Sequence, residues 1–250
     1  MGVESPAAPK ASGLSTVADV VVSPKDAFER LREAPTWGWA FLIAFALAIV
    51  GAVLAAPATH HATVAYLQQQ IATNPLFAGM PDAAKQQMLA NAQHPPLYQE
   101  ILGWVTVGAT LLIAALLNAA ILLVGNVVGR GQTDFKRLWC GSMNVAVPSF
   151  GLMQLVVGII ATVRGPDAFG SVQDIMRAAP GLGLLVPHAS VALASFLASL
   201  NIFTIWGLLL NVTMMLVLAR TSKVIAWAFP IIIFVGYAVM QSGLAGALHM

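Results

Sequence analysis

Residues 37–56 read WGWAFLIAFALAIVGAVLAA, a run from Trp37 to Ala56 without one charged side chain. A helix of about 20 residues rises about 30 Å, the thickness of a bilayer's hydrocarbon core, so the run is a membrane span. Trp37 and Trp39 stand at its start, where amphipathic aromatics meet the headgroups, and Pro57 is expected to close it. Four further apolar runs follow, at about 101–128, 138–163, 192–219 and 224–248. Pro148 falls inside the third span and Pro230 inside the fifth. Each proline removes a backbone donor and is expected to kink its helix. The predicted fold class is therefore an all-α polytopic membrane protein, a bundle of about five transmembrane helices preceded by short interfacial helices.

Composition points the same way. Of 250 residues, 58% are hydrophobic and 9% charged, against about 25% charged in soluble domains. The formal charge is only +2, and the basic residues sit in small groups between apolar runs, so nucleic-acid binding is not expected. The single cysteine, Cys140, excludes an internal disulfide framework and a multi-cysteine metal site. No cleavable signal peptide is expected, because the first apolar run starts only near Trp37, behind a long polar and charged segment. Pro6 occupies the position where an N-myristoylation signal needs Ser or Thr, so lipidation is not expected.

Around the spans, residues 1–16 are rich in Ala, Ser, Pro and Gly and read as a disordered tail. Residues 17–36 read as cytoplasmic interfacial helices: Leu14, Val17 and Val21 recur at helical spacing, and Ser23-Pro24-Lys25-Asp26 starts a second helix to about Ala34. Its Ala27, Phe28 and Leu31 share a face. Phe28, Arg30, Leu31 and Arg32 are thus candidate docking residues at the headgroup level, with packing under the bundle's end as the alternative. Residues 37–250 form the membrane domain. Within it, 58–99 reads as an extracytoplasmic loop carrying one helix, Pro81 to Ala92. With the N-terminus inside, the cytoplasmic segments hold Lys10, Lys25, Arg30, Arg32, Arg130, Lys136, Arg137, Arg220 and Lys223, while the opposite side holds only Lys85, Arg164 and Arg177. Lysine and arginine collect in cytoplasmic loops, so nine against three predicts a cytoplasmic N-terminus and an extracytoplasmic C-terminus.

The spans carry no Asp, Glu, Lys or Arg away from their ends, which lowers the expectation of a charge-coupled pathway. They do carry amides: Asn118, Asn126, Asn144, Gln154, Asn201 and Asn211. An amide facing lipid leaves donors unsatisfied, so these six are candidate interhelical polar contacts, or, in the sharper reading, the lining of a polar cavity. Leu116-Leu117-Asn118 and Leu209-Leu210-Asn211 are a weak internal similarity. Gly125 and Gly129 form a small-xxx-small pair suited to close helix contact. His60, His61 and His94 offer imidazoles, but no carboxylate or thiolate follows at ligand spacing, and no metal is expected. Cys140 lies beside Lys136 and Arg137, yet a lone cysteine is more commonly a small buried hydrophobe. No acid, base and nucleophile can be assembled, so neither enzyme activity nor a cofactor is expected.

Four segments in order resemble the Yip (Ypt-interacting protein) domain family, particularly its bacterial members. They are Ser23-Pro24-Lys25-Asp26-Ala27-Phe28-Glu29-Arg30-Leu31 ahead of Trp37, Gly129-Arg130-Gly131-Gln132-Thr133-Asp134-Phe135 ahead of Pro148, Asn201-Ile202-Phe203-Thr204-Ile205-Trp206, and Thr221-Ser222-Lys223. Together they are spread along most of residues 20–245. The resemblance implies a five-helix bundle with a cytoplasmic N-terminus, no enzyme activity and, with the alanine-rich composition, a bacterial inner membrane. Eukaryotic members bind Rab-type GTPases, but their Asp-Leu-Tyr-Gly-Pro signature is absent here, so GTPase binding is not carried over. The expected partners are the lipid bilayer and other membrane or cytoplasmic proteins. The expected function is a non-enzymatic membrane scaffold or adaptor, with a small-molecule or ion transporter using the amide-lined helix faces as the alternative.

Overall fold

The computed structural model describes residues 13–185 and 190–247. Residues 1–12 of the predicted tail, the end of the fifth span at 248 and the stretch 186–189 lie outside the described residues. Two short helices come first among the described residues, α1 at Gly13–Val22 and α2 at Pro24–Glu33, so residues 13–16, expected in the tail, are helical. Pro24 sits in the first turn of α2, where its missing N–H costs nothing, and Asp26 faces the positive end of the helix dipole.

Among the described residues, four helical stretches are long and apolar enough to cross a membrane: Gly38–Thr73, Leu97–Val128, Phe135–Arg164 and Lys223–Gly243. The first, α3, does not end at Pro57. It runs on as one helix through Gly38–Thr73, enclosing the proline, which corrects both the span boundary and the reading of 58–73 as loop. Pro57 withdraws one donor from the Val53 carbonyl, and a long alanine-rich helix absorbs that single loss. Helix α3 is thus about 54 Å long, well beyond the hydrocarbon core. Behind it, α4 at Asp82–Gln93 packs back onto its polar end, close to the helix expected at Pro81 to Ala92. The second span, α5, is Leu97–Val128.

The third span is two helices joined in line: α6 at Phe135–Ala146 and α7 at Met153–Arg164, with a π-helical turn over Val147–Leu152. Pro148 causes the turn. It has no N–H for the Asn144 carbonyl, which accepts from Val147 instead, and the Ser149 hydroxyl donates to the Val145 carbonyl at 2.8 Å. After a five-residue helix, α8 at Val172–Met176, the fourth span departs from expectation. The run 192–219 is broken into α9 at Val191–Ser199 and α10 at Ile202–Val217. Asn201 stops one helix and starts the next: its Oδ1 accepts from the N–H groups of Phe203 and Thr204, while Thr204 Oγ1 accepts from the Asn201 N–H. Beside the break, Leu182 N–H donates to the Leu200 carbonyl and Ile202 N–H to the Pro180 carbonyl. Backbone groups freed by the break are thereby satisfied inside protein, as hydrocarbon requires. The last helix, α11, is Lys223–Ala247 and carries Pro230 within it.

The bundle's spine is the α3–α7 contact. Ala40, Ala44, Ala48, Gly51, Ala55, Ala58 and Ala62 make one buried small-residue stripe on α3. A Cβ on Gly51 would overlap the Gln154 backbone, and one on Gly158 would overlap the Gly51 carbonyl. Two helix backbones therefore touch, the close approach by which dispersion holds membrane helices together. At the end of the bundle that carries α1 and α2, a cluster of Phe28, Leu31, Leu122, Leu138, Leu210, Met214 and Leu218 forms the largest core.

Candidate functional site

Among the described residues, candidate sites gather at several places. The first is the middle of the bundle, where Asn118 on α5 donates from Nδ2 to Ser142 Oγ on α6 at 2.8 Å and to Asn211 Oδ1 on α10 at 3.0 Å. Three spans meet on one amide, and the two Leu-Leu-Asn copies are brought face to face. Ser142, buried at the third corner, carries no warning in the sequence beyond its place in the third span.

The other candidate amides do different work. Asn126, near the end of α5, donates to the Thr133 carbonyl at 3.0 Å and so shapes the turn that follows instead of tying two spans. Asn144 on α6 donates to the Thr36 carbonyl at 3.1 Å, holding the segment between α2 and α3. Asn201 caps α10. Gln154 on α7 makes no side-chain hydrogen bond among the described residues and lines a cavity of about 250 Å³ together with Gln173, Arg177, Ser195, Asn201 and Gln241. Arg177 Nη2 donates to Ser195 Oγ at 2.7 Å across that cavity's wall. Neither Arg177 nor Gln173 is visible as a site residue in the sequence, because both belong to the short helix α8 and its C-cap in the connection between spans.

The second place is the N-terminal platform. Phe28 and Leu31, read as docking residues with packing under the bundle's end as the alternative, are fully buried, packed into the core formed by α5, α6 and α10. Their face of α2 is the only wide apolar one, and the bundle end offers it a dry, complementary surface, worth about 1.5–3 kcal/mol for each side chain. Arg30 is turned inward to Asp19 and to Ser15 Oγ at 3.3 Å. Arg32 lends its carbonyl to Arg137 Nε at 2.8 Å, and its side chain is half-buried. What the platform exposes is Leu14, Val21 and Val22, the last 79% exposed, beside Lys25, Asp26 and Glu29. Trp37 packs edge-on against Trp139, with ring centroids 5.9 Å apart. Cys140 is fully buried in the same core.

The third place is an open cleft at the far end, lined by His60, His61, His94 and Asp167, with His61 Nε2 3.5 Å from Asp167 Oδ1. No cluster of three or more His, Cys, Asp or Glu side chains placed to hold a metal occurs among the described residues.

Comparison with known proteins bears on the whole of this arrangement, because the family model of the Yip1 domain matches residues 18–242, from the N-terminal platform to the last span. The chain belongs to the Yip1 domain family. This Yip1 protein is also 30% identical over 242 residues to the membrane protein YknW of Bacillus subtilis (strain 168), covering 92% of the chain and 89% of the relative. No solved structure matches it. The Yip1 match encloses every residue of the amide cluster, the platform residues Phe28 and Leu31, and the π turn at Pro148. It is a multi-pass integral membrane protein of the Yip1 type.

Proposed function

We propose that this Yip1 protein is a non-enzymatic membrane scaffold or adaptor whose N-terminal platform is a preformed docking surface for other membrane or cytoplasmic proteins. The observation that carries the reading is the buried seating of α1 and α2 against the bundle. Because Phe28 and Leu31 are spent on the bundle, the outer face of the platform is held in place, with Leu14, Val21 and Val22 exposed among charged neighbours. An apolar patch with a charged rim, fixed before binding, meets a partner at low ordering cost. The basic balance of the segments on this side supports a cytoplasmic platform and an extracytoplasmic C-terminus. Consistent with a static role, Asn118, Ser142 and Asn211 are consumed by one another instead of lining a path. Photo-crosslinking groups placed at Val22 and Lys25 in intact cells will capture discrete protein partners, and a group at lipid-facing Val105 will not. Equal capture of lipid alone at all three sites defeats the adaptor reading.

One observation favours a second reading, transport or storage of a small molecule. The half-buried Gln154 amide, without a protein partner among the described residues, faces a cavity of about 250 Å³ that could hold one. Untargeted mass spectrometry of small molecules co-purified from the native membrane, compared between the native chain and Gln154→Leu, separates the two. A compound lost in the variant supports transport.

A further inference from the structure

Among the described residues, the only non-glycine positions with positive φ are Arg130, at 50°, and Arg220, at 55°. They hold equivalent places. Arg130 follows the end of α5, and the next residue, Gly131, returns its N–H to the Asn126 carbonyl at 2.7 Å. Arg220 follows the end of α10, and the next residue, Thr221, returns its N–H to the Met215 carbonyl at 3.1 Å. A left-handed residue closing a helix in this way is usually glycine, since any Cβ there is strained. Arg130 even stands between Gly129 and Gly131, so glycine is present in the turn but not at the strained position. Strain retained twice, in the same residue type, at the same station of two helices, points to use of the side chain.

The two turns are also physically joined. Gln132 N–H donates to the Ala219 carbonyl at 2.8 Å, and Arg220 Nη1 reaches Gln132 Oε1 at 3.5 Å. Both arginines and Lys223 are exposed, and the side chains of Arg130 and Lys223 make no hydrogen bond or ion pair among the described residues. The one carboxylate in these turns, Asp134, is already held by Arg137 at 2.6 Å. The site is therefore cationic. It also borders the bilayer, because the residues next to it on α5 and α11, Val127, Val128 and Val224, are 68%, 60% and 76% exposed at the ends of membrane helices. We propose that the joined turns form a clamp for the phosphate headgroup of one anionic phospholipid, with Arg130 and Arg220 as the phosphate-binding side chains.

The inference does not depend on the adaptor reading, and its test is separate. The double variant Arg130→Gly, Arg220→Gly removes both guanidinium groups and relieves the left-handed strain, so in zwitterionic phosphatidylcholine nanodiscs it will melt at the native temperature or above. Added phosphatidylglycerol will raise the melting temperature of the native chain and leave that of the variant nearly unchanged. Phosphatidylglycerol retention in native mass spectrometry will fall about fivefold for each arginine removed. Inorganic phosphate at the same concentration will have no effect on either. An undiminished response to phosphatidylglycerol in the double variant overturns the clamp, and a phosphate response equal to the lipid's overturns the choice of a lipid headgroup.

Discussion

Asn118 is the residue on which three spans converge, and its neighbours define what its loss would do. Removing its amide strands Asn211 Oδ1 and deprives the Ser142 hydroxyl of its donor, both far from water. Interhelical hydrogen bonds in membrane proteins contribute about 0.6–1.7 kcal/mol each, so a double-mutant cycle of Asn118→Leu with Asn211→Leu will return a coupling energy in that range. The cycle is read from reversible unfolding in mixed micelles, and a coupling of zero would show that the contact is incidental. The amides were legible as polar points in apolar runs, and the repeated Leu-Leu-Asn flagged two of them. Which amide meets which was not, because a hydrogen bond across 93 residues depends on helix rotation and depth that local pattern does not encode. Gln154 and Asn126 illustrate the same limit: one faces a cavity and the other folds a turn, though both look alike in sequence.

At the scale of elements, the α3–α7 contact depends on two glycines that sequence reasoning passed over in favour of Gly125 and Gly129. That pair does touch another helix, with the Phe229 ring filling the space a Cβ at Gly125 would need. The tighter approach is at Gly51, where a methyl group would collide with the backbone of the partner helix. Gly51→Ala will therefore destabilise the bundle by about 1–3 kcal/mol through overpacking. Gly103→Ala on α5, with nothing within 4 Å, will be neutral or stabilise by up to about 1 kcal/mol through helix propensity. Comparing the two unfolding midpoints checks the contact, and equal shifts would refute it. Element boundaries were the least legible feature. Proline stops a helix in water more reliably than in a membrane chain, so Pro57 was passed through and Pro148 was absorbed into a π turn. The fourth span broke at Asn201, a residue whose capping chemistry competes with helix continuation.

For the whole molecule, the two N-terminal helices prove to be part of the bundle. Phe28→Ala opens a cavity beneath α5, α6 and α10 and will cost about 3–5 kcal/mol, whereas Val22→Ser on the exposed face will change stability by under about 0.5 kcal/mol. Thermal unfolding of the two purified variants distinguishes an integral platform from a detachable arm, and similar melting temperatures would favour the arm. The sequence by itself determined the solvent, the helical class, the approximate number of spans and the place of the short helices before them. Those follow from apolar run length, charge scarcity and capping residues, which act over one or two helical turns and need no knowledge of neighbours. Only the tertiary structure decided that α2 faces inward, that Asn118 and Asn211 meet, that Gly51 and not Gly125 marks where two helix backbones touch, and that two strained arginines share one end of the bundle. Each of these depends on which helix face meets which, a choice set by packing among elements distant in the chain.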